Sequence, residues 1–276
     1  MNPRRNRMPA IGQSHRRNPL RFISVASALI LAGGLLRASS TVLPHDVLLT
    51  AKRAASDANY RNDQAALRGA VAAFASLAAD EQLRPRALYW AAWTEWMLAA
   101  SQQQDNQAAA AVASLESAVA RLTRLIELQP DDADAHALLA FVSVAIATAE
   151  RPRWKELAPG ISAHRRRALE LAPANPRVVM LDAMMIFYAP PQAGGSQTKG
   201  VARWLEALQL LAAERPGDAT APDWGRTLAE GWLANLYLTM TPPHDAEARD
   251  MAAKALRERP DFWYVATQVM PRIHSP

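Results

Sequence analysis

Three short stretches of this chain hold residue types that could do chemistry. Residues 187 to 200, FYAPPQAGGSQTKG, gather two glycines, a threonine and a lysine as a phosphate-cradling loop would. A Walker-type loop needs Gly, four residues, then Gly-Lys and Ser or Thr; here Thr198 and Lys199 precede Gly200, so the order is wrong. The stretch reads instead as a turn between helices, with Gly194 and Gly195 taking backbone angles closed to other residues and Ser196 or Thr198 capping the next helix. QPDDADAH, at 129 to 136, sets Asp131, Asp132 and Asp134 near His136, all donors that a metal ion accepts. It lacks the glycine and distal glutamate of a calcium loop, and carboxylates at a helix start are expected as caps facing the dipole. HRRR, at 164 to 167, could meet an acidic partner or lipid headgroups, but a solvated helix face is the expectation.

Catalytic patterns find little support. Six histidines are scattered, and neither His-Glu-x-x-His nor Gly-x-Ser-x-Gly occurs. No enzyme activity, cofactor or metal is expected. The absence of cysteine excludes disulfides, thiol catalysis and cysteine metal sites together.

The elements that must position any site are helices. From residue 44 onward, alanine- and leucine-rich segments alternate with Pro, Gly, Asn and Asp, and no segment reads as a strand. The pattern predicts helices at 44–58, 63–79, 84–100, 108–128, 132–149, 161–172, 175–188, 200–214, 225–239, 245–258 and 261–270, or five hairpins and a cap. Three segments share one plan of small-residue helix, proline, polar pair and new helix: 118 to 140, 164 to 184 and 247 to 266. In the first the matching residues are Ala118, Leu122, Ile126, Leu128 and Pro130, then Leu139 and Ala140; in the second, Ala168, Leu169, Leu171 and Pro173; in the third, Ala248, Ala255, Leu256 and Pro260.

This plan resembles the tetratricopeptide repeat (TPR), and Leu233, Ala234 and Tyr237 fit its first-helix pattern. The resemblance implies an all-α, right-handed α-solenoid of about five irregular TPR-like helical hairpins plus a C-terminal capping helix. The Pro-then-Gly-Gly turn of APPQAGGSQTKGVARWLEAL is similar to one in exported bacterial TPR-like proteins, including a component of some periplasmic transporters. Two departures stand out. Pro130 and Pro173 are 43 residues apart where the family has 34, which marks RPRWKELAPG at 151 to 160 as an insertion between paired helices. SQQQDNQAAA at 101 to 110 reads as another.

In such repeats the first helix of each pair lines a concave groove. LYWAAWTEWMLAA, at 88 to 100, puts Tyr89, Trp93 and Trp96 on one helical face with Trp90 beside it. Packing against neighbouring helices is the plain expectation for tryptophan; the functional one makes Tyr89, Trp93 and Trp96, with Trp232 and Tyr237 of a comparable first helix, the anchors of a bound partner.

Charge and the N-terminus bear on partners. The net charge of +5 is uneven, because seven arginines (4, 5, 7, 16, 17, 21 and 37) precede the first acidic residue, Asp46. Without those seven, 24 of 31 basic residues remain against 26 acidic ones, near −2, so nucleic acid is not an expected partner. The arginine-rich lead, the apolar run 22 to 36 and the small residues after it have a secretory signal's layout. As a helix that run would be about 22 Å long, short of a bilayer core of roughly 30 Å. Residues 1–43 are therefore expected to be a signal peptide, with Ala38 before the cut, or an N-terminal membrane anchor, and 44–276 the repeat domain. The expectation is an exported scaffold, periplasmic or anchored in the inner membrane facing the periplasm. It would bind a protein or peptide partner of the cell envelope in its groove, touching membrane only through an uncleaved N-terminal segment. The alternative is a small-ligand-binding accessory protein of a periplasmic transport system.

Overall fold

A computed structural model describes residues 43–215 and 217–273, which fall in one of the chain's two compact units, 42–276. The expected signal or anchor lies outside the described residues. Ten α-helices follow one another: α1 (Pro44–Tyr60), α2 (Gln64–Leu77), α3 (Arg84–Gln104), α4 (Ala108–Leu128), α5 (Ala133–Ala149), α6 (Trp154–Leu171), α7 (Pro176–Tyr188), α8 (Gln197–Ala213), α9 (Arg226–Thr239) and α10 (Asp245–Glu258). Each odd-numbered helix packs on the next even-numbered one, giving five hairpins. The first helices α1, α3, α5 and α7 also touch in series, and so do the second helix of one hairpin and the first of the next. Among the described residues there is no strand, and none of the helices is long and apolar enough to cross a membrane. The all-α, solenoid-like stack is the expected fold.

Local chemistry sets the helix ends. Asp63, Asp132, Asn175 and Ser196 each accept a backbone N–H from the first turn of α2, α5, α7 and α8, satisfying donors the helix cannot pair itself. Asp132 thus has the capping role expected of the 129–136 cluster. Pro130, Pro173 and Pro260 follow the ends of α4, α6 and α10, where no further helical N–H is required. Ala118, Ala168, Ala248 and Ala255 are buried in the seams, as the small-residue plan requires, and let helix backbones approach closely.

Both expected insertions are instead element sequence. Arg151–Arg153 form a single 3-10 turn and α6 starts at Trp154, running through Pro159 and Gly160. Pro159 is tolerated because its face is exposed, so water reaches the carbonyl one turn back that it leaves unbonded. Residues 101–104 simply extend α3, and the turn to α4 needs only Asp105 to Gln107, with Asn106 at φ 60°. After α10 a further helical stretch runs over 263–272, its turns tightening from Val265–Val269 to Met270–Arg272, where the capping helix is expected at 261–270.

The two ends of the stack are tied together. Lys52 of α1, though 7% exposed, donates to the carbonyls of Ala219 and Ala221, pairs with Asp223 at 3.1 Å and lies over the Trp90 ring. Farther along α1, Asp57 accepts from Arg259 at 2.9 Å, and Tyr60 meets Phe262 edge-on with ring centres 4.9 Å apart. The first helix therefore grips both the α8–α9 loop and the segment after α10.

Candidate functional site

The first helices of the hairpins line a partly open cavity of about 400 Å³, a volume in the ordinary range for small-molecule sites. Every hairpin contributes through its first helix: Asn59 from α1, Trp96, Ser101 and Gln104 from α3, Phe141 from α5, Met184 and Tyr188 from α7, Trp232 and Asn235 from α9. The segment after α10 adds Phe262, Trp263 and Tyr264. Helical spacing explains the pattern, since residues three, four and seven apart share a face: Met97, Ser101 and Gln104 descend one side of α3, and Leu228, Trp232 and Asn235 one side of α9.

The walls are aromatic. Trp96 is 6% exposed, meeting Phe141 with ring centres 5.1 Å apart and Trp232 at 5.4 Å, both inclined in the favoured edge or tilted arrangements. Trp224 backs them, 5.8 Å from Trp96 and 6.2 Å from Trp93. It comes from the α8–α9 loop, and its Nε1 donates to the Tyr89 hydroxyl at 2.9 Å. Burial holds the Tyr89 phenol well above its ordinary pKa, so it stays neutral in this wall.

Of the five residues expected as anchors, Trp96 and Trp232 line the cavity together. Tyr89 and Trp93, each 1% exposed, lie behind it in the core that joins α3 to Trp224. Tyr237 is buried against His244, away from the cavity, where α9 turns into α10. Sequence reasoning passed over Phe141, Tyr188, Trp224 and Tyr264. A signal for one of them was present: the 43-residue offset from Pro130 to Pro173 carries Phe141 onto Met184, and both line the cavity.

The other stretches with chemical potential are occupied structurally. Gly194 ends a 3-10 turn at φ 84°, a Cβ on Gly195 would lie 1.7 Å from the Ala189 carbonyl oxygen, and Ser196 caps α8. The turn is built for close approach. Ser196 and Lys199 also stand at the Ser-x-x-Lys spacing of some acyl-transfer enzymes; here the Ser196 hydroxyl accepts the Lys199 backbone N–H and the lysine is exposed. In the acidic cluster Asp131 pairs with Arg167, and Asp134 accepts from Asn175 at 2.9 Å and faces Arg177 at 3.4 Å. His136 meets His164, Nδ1 to Nδ1, at 2.8 Å. Arg165 bonds Asp182 at 2.6 Å and Arg166 approaches Glu170, so the basic run is matched residue by residue. A second hollow, of about 270 Å³, lies beside Glu95, whose carboxyl is raised by burial but held by Ser117 and Arg121.

No family model and no curated protein sequence matches the chain. Solved structures do. TTC0263, a thermophilic TPR protein of Thermus thermophilus, is 18% identical over 82% of this chain and 98% of its own, with a TM-score of 0.52. The fold is TPR-like. The HusA haemophore of Porphyromonas gingivalis is 25% identical over 67% of this chain and 94% of its own, with a TM-score of 0.49. The TPR-like fold thus stands on the helix pairing and on the Thermus likeness.

Proposed function

We propose that this chain is an exported, non-enzymatic binding protein that holds a small ligand in the cavity of its concave side. The observation that carries the reading is the aromatic lining of one partly open hollow of about 400 Å³ to which all five first helices contribute, in a stack whose ends are joined by Lys52 on the 219–223 loop and Asp57 on Arg259. A pocket of that size, mostly aromatic with a few convergent polar groups, suits a molecule of drug size better than a protein surface. Among the described residues the lining holds no carboxylate, imidazole or amine to act as acid, base or nucleophile, which supports binding over catalysis. Export rests on the arginine-rich lead and apolar run at the N-terminus.

The test is native mass spectrometry of the protein incubated with the sub-kilodalton filtrate of the cells that make it. The expected result is a discrete added mass of a few hundred daltons that Trp232→Ala abolishes. Absence of any adduct, with unchanged folding, overturns the reading. A peptide adaptor is the second reading, favoured by the exposed ring of the lining residue Tyr188, 52% accessible. Its mark would be retention of a peptide, lost on Tyr188→Ala, without a small adduct.

A further inference from the structure

We propose that the ligand of this cavity is an uncharged, flat, fused-ring molecule whose edges carry both hydrogen-bond donors and acceptors. This rests on the small-ligand reading above and narrows it to a chemical class. Three features of the chamber point the same way.

The first is its lack of charge. The polar groups lining it are the amides of Asn59, Asn62, Gln103, Gln104 and Asn235 and the hydroxyl of Ser101, apart from tyrosine phenols and tryptophan indoles; among the described residues no Asp, Glu, Lys, Arg or His takes part. An ionised group brought inside would exchange water for a wall of neutral side chains, which is unfavourable, and the Arg272 guanidinium that acts on the lining Tyr188 and Tyr264 is itself engaged. Arg272, near the rim, already donates to the Asn235 side-chain oxygen at 2.6 Å.

The second is a pair of polar atoms without partners. Ser101 is 3% exposed, and its Oγ finds no hydrogen bond among the described residues; nor does the buried Oε1 of Gln104, one helical turn on. Both residues line the cavity. Gln102, between them in sequence but on another side of α3, is satisfied: its Oε1 accepts from Ser114 at 2.8 Å. On α3 the Trp93 indole nitrogen, behind the wall, is also unmet, but Ser101 and Gln104 are the two such residues that line the chamber. A hydroxyl can donate or accept, an amide oxygen accepts, and a ligand edge bearing N–H next to C=O answers both.

The third is ring geometry. Trp96, Phe141, Trp232 and Tyr264 present π-surface from four separate segments. Such walls stack on a flat ring system, and a cavity of about 400 Å³ has room for about three fused rings. An aliphatic chain would fill the volume but leave Ser101 and Gln104 unmet.

A matched pair of probes tests this. Lumiflavin is an uncharged tricycle with an imide edge, and 10-carboxymethylflavin differs by one carboxylate in place of a methyl hydrogen at the ring nitrogen. Titrated into the protein at pH 7 and followed by quenching of flavin fluorescence, lumiflavin is expected to bind and the carboxylate to bind at least about tenfold more weakly. Ser101→Ala, which removes a single atom, and Gln104→Leu should each weaken lumiflavin by about tenfold while leaving far-UV circular dichroism unchanged. Trp232→Leu should abolish the quenching. Equal or tighter binding of the carboxylate overturns the inference, as does lumiflavin binding untouched by the Ser101 and Gln104 substitutions. If lumiflavin fails to bind while a Trp232-dependent small adduct is still seen by mass spectrometry, the ligand class falls and the small-ligand reading stands; failure of both removes both.

Discussion

Replacing Arg177 should expose how the back wall of the chamber is held. Its side chain is 6% exposed and reaches three groups: the Glu214 carboxylate, which it bonds through both terminal nitrogens, Asp134 at 3.4 Å, and the Trp224 carbonyl oxygen at 3.2 Å. Burial pulls the guanidinium's pKa down, but its bonds to Glu214 and the field of Asp134 outweigh that and leave it raised. Asp134 feels the pair differently. Burial pushes its carboxyl up to about 6 even with Arg177 and Asn175 opposing, so the charged form is held at a cost of roughly 3 kcal/mol at neutral pH. In Arg177→Met the methionine keeps much of the volume and Asp134 loses its countercharge. Breaking a buried pair in this way typically costs about 3–5 kcal/mol; for a domain of this size that is a fall in Tm of at least about 6 °C. The pH dependence has a definite sign. Because the native pKa of Asp134 is raised, its contribution is favourable below the unfolded value near 3.8 and is lost as pH rises through about 6. Removing Arg177 raises that pKa further, so the deficit of the variant is largest at pH 7 and shrinks towards pH 5, where the aspartic acid is neutral and needs no partner. Asp134→Asn in the Arg177→Met background should restore most of the loss at pH 7. Thermal and urea melts followed by circular dichroism at 222 nm read all of this. An equal deficit at pH 5 and pH 7, together with no rescue by asparagine, would refute the reasoning.

Further outcomes follow from other contacts. Gly195→Ala places a Cβ 1.7 Å from a backbone oxygen and must displace the turn, whereas Gly194→Ala meets open space and bears only the φ 84° penalty of about 1–2 kcal/mol; urea melts should rank the first as the more damaging. Lys52→Met removes the two carbonyl bonds and the Asp223 pair, so limited proteolysis should cut the 214–225 loop faster, with a stability loss of about 1–3 kcal/mol. The His164 imidazole is lowered by burial and then by His136, so its contribution is present above its unfolded value of about 6.5 and is lost as pH falls below it. The difference in Tm between wild type and His164→Gln, measured from pH 7.5 to 5.5, should therefore change in the variant's favour on acidification.

Much of this fold is written locally. Capping by Asp63, Asp132, Asn175 and Ser196, proline just past α4, α6 and α10, and alanine in the seams all act within a turn or two of the chain, so the sequence alone determined five hairpins with helix ends near their observed places. It misjudged Pro159 because a proline's effect depends on whether water reaches the carbonyl it frees, and exposure is set by neighbours. The site was legible only in part for a related reason. Tyr89, Trp93 and Trp96 share a face of one helix, and nothing within that helix says how deep each will lie. Their depths are fixed by Trp224, which arrives from a loop more than 120 residues away and covers the first two while leaving Trp96 at the chamber wall. Periodicity specifies which residues share a face. What covers that face is decided by long-range closure, here by Lys52 and Asp57 reaching across to 219–223 and Arg259, since such contacts depend on the summed geometry of all the helices between them.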